Sequence, residues 1–423
     1  MKKLKIIFIV LVFSGFHAVA QYKLTLQQAI EIAIQNNYSI GIVKADADIS
    51  VISNSYGNAG FMPSVTFLAS TNKSSYNTKQ EFNSGASVNR KNALSSNFAS
   101  SIVLNWTLFD GMKMFATKDK LQELQANGAV NLRIQIENTV SQIIGLYFDV
   151  VHSQQLIKAT NEALGIYVER EKIAQKKLDI GSGSKLDLLQ AKVDLNAQKS
   201  ALLKLNIAME SAMVAMNQLL SKNSTDTYTV EDSITVNDSL VLSGMQQNAL
   251  TNNNQIQYAQ NNIAIANYSL KEVKSTTLPQ FGVTANYNLS QTQNQVGLIL
   301  LNQNQGFNAG LYASWNLFNG YKSQTQIKIA KYAIQQSVLA LKQTTSIIDA
   351  ALLKAWKNYQ GDLTILKLEE DNISVAKENV TIALERFRIG TSNNIELMFA
   401  QQSYQDALSR LVTARYDAKI SET

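Results

Sequence analysis

The chain holds 423 residues, 45% hydrophobic and 17% charged, with a formal net charge of +6, no Cys, 2 Pro and 2 His. Without cysteine there is no disulfide framework, thiolate zinc site or thiol nucleophile. Two prolines leave room for long unbroken helices, because an interior proline removes a backbone donor and kinks the helix. At roughly 150 residues per domain the length suggests two or three domains and a large core.

Lys2, Lys3 and Lys5 precede an apolar run from Ile6 to Phe13, and Ala18-Val19-Ala20 supplies small residues. Residues 1–20 thus read as a secretory signal peptide cleaved before Gln21. The run is shorter than the ~20 apolar residues a spanning helix needs, and no other segment reaches that length. No cysteine stands at the cleavage site, so no lipid anchor is expected. Losing three lysines takes 38 Lys+Arg to 35 against 32 Asp+Glu, a net charge near +3 that makes no case for nucleic acid. His17 leaves as well. With His152 as the remaining imidazole, catalytic triads and multi-histidine metal sites are excluded, and neither enzyme activity nor a cofactor is expected.

In chain order, the first element is a helix within Leu24 to Ile40. Past Pro63, Val65, Phe67 and Ala69 alternate with Thr66 and Ser70, and Ile102, Leu104, Trp106 and Leu108 alternate with Asn105 and Thr107, which predicts a hairpin of strands about ten residues long. From Gly111 to Gly181, and again from Gly320 to Gly390, no proline occurs. Ile136, Val140, Ile143, Tyr147 and Val150 keep a spacing of three and four. So do Leu188, Ala191, Leu195, Gln198, Leu202, Leu205, Met209, Ala212, Met216 and Leu219, and later Leu397, Ala400, Tyr404, Ala407, Leu411, Ala414 and Ala418. Gly181 and Gly390 then read as sharp reversals between antiparallel helices. A second stripe, Ile365, Leu368, Val375 and Ile382, gives that helix neighbours on two sides, as in a curved wall. Residues 222–243 are polar and read either as a linker with short strands or as plain loop.

The chain also repeats itself. At an offset of 216, Ala33-Ile34-Gln35-Asn36-Asn37 meets Ala249-Leu250-Thr251-Asn252-Asn253, and Met62-Pro63 meets Leu278-Pro279. At 209, Trp106-Thr107-Leu108-Phe109-Asp110-Gly111 meets Trp315-Asn316-Leu317-Phe318-Asn319-Gly320. The seven-residue difference falls between Pro63 and Trp106, where a loop between two strands would tolerate it. This gives a first repeat at 21–221 (helix, strand hairpin about 63–109, helical hairpin 111–221), the linker at 222–243, and a second repeat at 244–423 (helix, strand hairpin about 279–318, helical hairpin 320–423). Alternating strands of this kind suit a soluble sheet with one wet face or a transmembrane barrel. Trp106 and Trp315 near the strand ends, fit for an interfacial aromatic girdle, favour the barrel. Four strands cannot close one, since bacterial barrels use at least eight, so a barrel must be shared between chains.

These features, in this order and spacing, resemble the TolC-like outer-membrane factor family over nearly the whole chain beyond residue 20. They are the opening segment with Asn36-Asn37, a proline before each first strand, the Trp-x-Leu-Phe-(Asp/Asn)-Gly junctions, and the Leu178-Asp179-Ile180-Gly181 and Phe387-Arg388-Ile389-Gly390-Thr391 turns, each followed by an acid and a leucine. The resemblance implies an α+β membrane protein: a homotrimer with a shared 12-stranded β-barrel, continued by a 12-helix periplasmic α-barrel, with 222–243 as an equatorial linker. It implies a passive exit duct of a tripartite efflux or type I secretion system, set in outer-membrane lipid, working with a periplasmic adaptor protein and an inner-membrane transporter. A periplasmic coiled-coil adaptor is the alternative, though it would carry one long hairpin. The string Gly181-Ser182-Gly183-Ser184-Lys185 lacks Walker spacing and lies between helices, so energy must come from a partner. By the same resemblance Asp187 and Glu396 line an entrance gate at the tips. Three carboxylates ~6 Å apart would repel by about 3 kcal/mol per pair at an effective dielectric near 20. Arg386 and Arg388 pair with these acids in a closed state, or are surface charge. The acids equally suit the first turn of a helix, where the dipole favours them. Phe399 and Gln190 stand where some members carry a further acid.

Overall fold

The computed structural model describes residues 23–423, so the signal segment 1–20 lies outside the described residues. The elements are β1 (Lys23–Leu24), α1 (Leu26–Asn36), α2 (Tyr38–Ser53), β2 (Ser64–Glu81), β3 (Ser87–Phe109), α3 (Lys113–Asp179), α4 (Lys185–Leu219), β4 (Thr229–Val230), α5 (Leu242–Asn252), α6 (Asn254–Ser275), β5 (Gln280–Asn294), β6 (Leu301–Ser314), α7 (Lys322–Ile389) and α8 (Asn394–Glu422). Contacts divide the chain into two compact units. One comprises Tyr38 with the described residues before it, Asn138–Leu240 and Lys354–Thr423; the other comprises Ser39–Glu137 and Val241–Leu353.

The first unit is built on the apolar stripes. Leu397, Ala400, Tyr404, Ala407, Leu411, Ala414 and Ala418 are all buried along α8, and the first four pack with Ala376, Val380, Ala383 and Phe387 of α7 and Ile173 of α3. A second cluster gathers Ala29 and Ala33 of α1, Ile143, Tyr147 and Val150 of α3, and Met216 of α4 around Leu24 and Val230. The last two belong to the parallel pair β1 and β4, so the linker contains one short strand. Thr25 caps α1 through a capping box with Gln28. The Tyr147 hydroxyl donates to the Leu24 carbonyl and accepts from the Glu231 N–H, both at 3.2 Å, and burial raises its pKa.

The second unit holds one antiparallel sheet in the order β2-β3-β5-β6. Pro63 and Pro279 stand immediately before β2 and β5. The strands have 18, 23, 15 and 14 residues, against an expectation of about ten. Alternation ends near Leu289, but the hydrogen-bond ladder continues through residues polar on both faces and carries no periodic signal there. The length difference between the hairpins is likewise not in a loop. The β2–β3 turn is only residues 82–86, and the extra residues lengthen the strands. Trp315 and Leu317 were expected within the return strand, yet β6 ends at Ser314. There the chain turns to reach Gly320 and Tyr321, both at positive φ, as are Gly111 and Met112 after β3. Asp110 Oδ1 then accepts from the Met114 N–H at 3.0 Å, and Asn319 Oδ1 from the Ser323 N–H at 3.3 Å, so each long helix starts on a side-chain acceptor.

Replacing Tyr147 with Phe removes the hydroxyl partner of the buried Leu24 carbonyl and of the part-buried Glu231 N–H. The expected cost is roughly 1–3 kcal/mol, read as a lower urea midpoint together with faster amide exchange at Glu231.

Candidate functional site

Strand register sorts the sheet into two faces, because directly paired residues point the same way. On one face lie the rows Trp106/Val283/Leu311, Val65/Leu104/Ala285/Ala309 and Phe67/Ile102/Tyr287/Phe307. Most are exposed in the single chain, Leu311 at 83% and Phe307 at 71%. The opposite face carries Thr66/Val103/Asn286/Asn308, Leu68/Ser101/Asn288/Gly306 and Asn72/Asn97/Thr292/Asn302, with no charged residue in these rows. Gly282 lies on this second face under the Tyr312 ring, where an added Cβ would meet the ring at 2.4 Å. One face is therefore suited to hydrocarbon and the other to water.

The two tryptophans sit at the helix end of this sheet. Trp106 Nε1 donates to the Phe61 carbonyl and Trp315 Nε1 to the Thr277 carbonyl, each at 3.0 Å. Both rings remain exposed, which is the amphipathic setting of an interfacial aromatic. In the same unit, a groove of about 790 Å³ between α3, α6 and α7 is lined by alanines, hydroxyls and amides such as Asn131, Asn262, Ala333 and Gln336.

At the other site, the helical turns, Gly181 and Gly390 adopt φ of +71° and +84°, where a Cβ would be strained. Each is followed by a six-to-one backbone bond, Ser182 N–H to the Lys177 carbonyl at 2.8 Å and Thr391 N–H to the Arg386 carbonyl at 3.0 Å. Ser184 Oγ and Asn393 Oδ1 then cap α4 and α8. Asp187 and Glu396 occupy the same position after their caps, in the first turn of each helix. They differ in company. Glu396 accepts from Arg386 Nη1 and from Ser392 Oγ, both at 2.7 Å, whereas Asp187 has no hydrogen bond or ion pair among the described residues. Arg388 reaches neither acid. It pairs with Glu169 at 3.2 Å and Glu385 at 3.0 Å because it projects toward α3. Lys177 donates to the Phe387 carbonyl and lies 4.2 Å from the centroid of the Phe387 ring.

Sequence reasoning missed the centre of this region. Arg170 is fully buried; its Nε donates to Asn394 Oδ1, and its Nη1 to Asp194 Oδ2 and Gln401 Oε1, all at 2.9 Å. One guanidinium thus joins α3, α4 and α8. The available signal was spacing, since Tyr167, Arg170 and Ala174 advance by three and four along the apolar line. Further along, Tyr404 donates to Glu162 Oε1 at 2.6 Å and Lys377 lies 3.2 Å from the same oxygen. Those bonds, the tyrosine's first, lower the Glu162 pKa. Burial and that same bond raise the Tyr404 pKa.

A sheet with one apolar and one uncharged polar face, joined to long helical hairpins with charged turns, defines a β-and-helix channel class of outer-membrane protein. The family model described as outer membrane efflux protein matches residues 29–222 and 245–423, and the chain belongs to that family. It accordingly resides in the cell outer membrane and extends into the periplasm. The chain is 22% identical over 328 residues to the outer membrane efflux protein BepC of Brucella suis, spanning 76% of this chain and 69% of the relative. It is 22% identical over 414 residues to the probable efflux pump outer membrane protein TtgC of Pseudomonas putida, spanning 94% and 81%. In structure it is similar to the outer membrane protein VceC of Vibrio cholerae, with a TM-score of 0.74 at 16% identity over 93% of either chain. Family membership does not favour the adaptor alternative.

Replacing Arg170 with Met removes one partner of a buried charge pair and leaves Asp194 uncompensated. We expect a loss of roughly 3–5 kcal/mol, with faster protease cleavage at the turns around residues 181 and 390; the conservative R170K recovers little, because one ammonium cannot reproduce the fork geometry.

Proposed function

We propose that the chain is one protomer of a homotrimeric exit duct: twelve strands in one shared barrel, twelve helices in a periplasmic tunnel, and an entrance at the tips of the helical hairpins. The observation that carries this is the four-stranded sheet itself. Its lipid-suited face needs hydrocarbon, and its outer strands β2 and β6 each have one edge unpaired among the described residues. In a bilayer those backbone groups must be satisfied by other strands, and two further copies supply them. The exposed stripe Ile365, Leu368, Val375 and Ile382 supports a neighbour against α7 as well. The matching positive-φ pairs at 111–112 and 320–321 support reading 21–221 and 244–423 as two copies of one unit.

In this reading the duct is passive. Substrate enters between the tips, moves through the water-filled tunnel and leaves along the polar face of the barrel, while a periplasmic adaptor protein and an inner-membrane transporter provide opening and energy. The role is in tripartite efflux or type I secretion. Asp187 and Glu396 form the acidic entrance, Arg386 and Arg388 modulate it, Gly181 and Gly390 shape the turns, and Trp106 and Trp315 mark the membrane interface. The two acids are unequal: Arg386 compensates Glu396, so Asp187 carries more of the free negative charge.

Extraction of outer membranes with detergent tests the assembly, with a trimer expected and a soluble monomer overturning the reading. Substituting Ile365, Leu368, Val375 and Ile382 by Ser is expected to shift the trimer toward monomer. Reversal potentials of the wild type in planar bilayers under a salt gradient test the entrance. D187N is expected to lower cation preference more than E396Q, and R386Q to raise it. The Arg386–Glu396 pair is half exposed, so its loss costs under about 1 kcal/mol and stability stays unchanged in the same variants.

A further inference from the structure

The distal tip of the sheet carries a second apolar feature, separate from the belt of aromatic and aliphatic rows. Leu298, Ile299 and Leu300 of the β5–β6 turn, and Leu301 at the start of β6, are all exposed, Leu298 at 85%. The turn is held in place. Gln295 N–H donates to the Leu94 carbonyl at 3.0 Å, Gln295 Oε1 accepts from the Leu94 N–H at 3.1 Å, and Asn294 N–H donates to the Leu300 carbonyl at 2.9 Å. Four consecutive large aliphatic residues held outward in water are unfavourable, because their apolar surface orders or excludes water without compensation. They call for a covering phase.

Register says which phase. Leu301 pairs with Gln293 and stands on the same face as Phe307, Leu311 and Tyr287, past the polar Gln303 and Gln305 that separate it from the belt. At a strand tilt near 40°, each two-residue row rises about 5 Å. An apolar band ~25 Å tall that starts at the Phe281 row ends near the Gln291/Phe98 row, and Leu301 lies about 5 Å higher, at headgroup level. Basic side chains stand at this level and beyond it. Lys73 is on the Leu301 face, in the row Lys73/Ser96/Gln293/Leu301. Arg90 stands further out on β3, paired with Thr78, and its Nη1 reaches back to donate to the Gln295 carbonyl at 3.4 Å at the base of the turn; Lys91 is the next residue in the chain. None of the three forms an ion pair among the described residues, and the acid of this hairpin end, Glu81, is taken by Lys79 at 3.1 Å.

We propose that the Leu298–Leu301 turn with Lys73, Arg90 and Lys91 is a binding site for a phosphate-bearing lipid of the outer leaflet, the aliphatic side chains entering the acyl boundary and the cations taking phosphate. This rests on the channel reading above. It assigns to the outer end of the barrel the anchoring that Trp106 and Trp315 give the other end, by charge and aliphatic surface in place of indoles.

The absence of native cysteine makes single-site labelling clean. L300C, F307C and N89C, each carrying a nitroxide in the full-length protein reconstituted in phosphatidylcholine vesicles containing purified lipid A, report depth through their relative accessibility to oxygen and to a water-soluble nickel chelate. F307C is expected to report hydrocarbon, N89C water, and L300C the acyl boundary. A water-like L300C beside a lipid-like F307C overturns the site and leaves the barrel standing, whereas water-like signals at both overturn the barrel reading too. Lipid A retained by the detergent-washed protein, measured as bound phosphorus, is expected to fall about fivefold for each of K73Q, R90Q and K91Q. Unchanged retention in the triple variant overturns the site.

Discussion

The constraint on which the rest of this molecule depends is that hydrocarbon offers no hydrogen bonds to a strand edge. Within one chain β3 and β5 are paired on both sides, while β2 and β6 are the ends of the sheet. Water could satisfy those ends, but the same strands present Phe67, Phe307 and Leu311 on a face that water does not suit. The two demands conflict in an isolated chain and are reconciled only when the sheet closes with others in a bilayer. The opposite face suits the water side of such a closure: it carries chiefly Ser, Thr, Asn and Gly, and Gly282 yields its side-chain space to Tyr312.

The helical half was largely legible in the amino-acid pattern, because burial there acts at a spacing of three and four. Every residue of the α8 stripe is buried, and Gly181 and Gly390 both take the positive φ that a reversal requires. The sheet was legible only where its two faces differ. Beyond Leu289 both faces turn polar, so nothing marked how far the ladder runs, and the strands were read too short. The junction of the two hairpins, β3 against β5, could not be read at all, since partner choice between strands is a long-range matter. β1 and β4 are two residues each, below any window in which alternation has meaning.

At the turns, one of the pairings read from sequence formed and the other did not. Arg386 does meet Glu396, but Arg388 turns to Glu169 and Glu385 because its place one residue before the end of α7 faces α3. Arg170 escaped notice because pattern reading assigns arginine to the surface. Its burial is possible only since three oxygens from two other helices converge on it, and no linear motif records that convergence.

The strengths of these contacts differ enough to order them. The exposed pairs at the rim, Arg386 with Glu396 and Arg388 with Glu169, are each worth about 0.2–1 kcal/mol. The apolar seam of α7 on α8 buries Val380, Phe387 and Leu397, each contributing roughly 1.5–3 kcal/mol. The Arg170 cluster adds a buried charge whose uncompensated exposure to the interior would cost several kcal/mol. A rearrangement of the turns that keeps the seam and the Arg170 cluster whole, and exchanges only rim pairs, is therefore far cheaper than one that separates α8 from α3 and α4. The rim charges are thus the contacts that cost least to exchange, and the buried arginine is among those that cost most, because it ties α3, α4 and α8 together through one guanidinium.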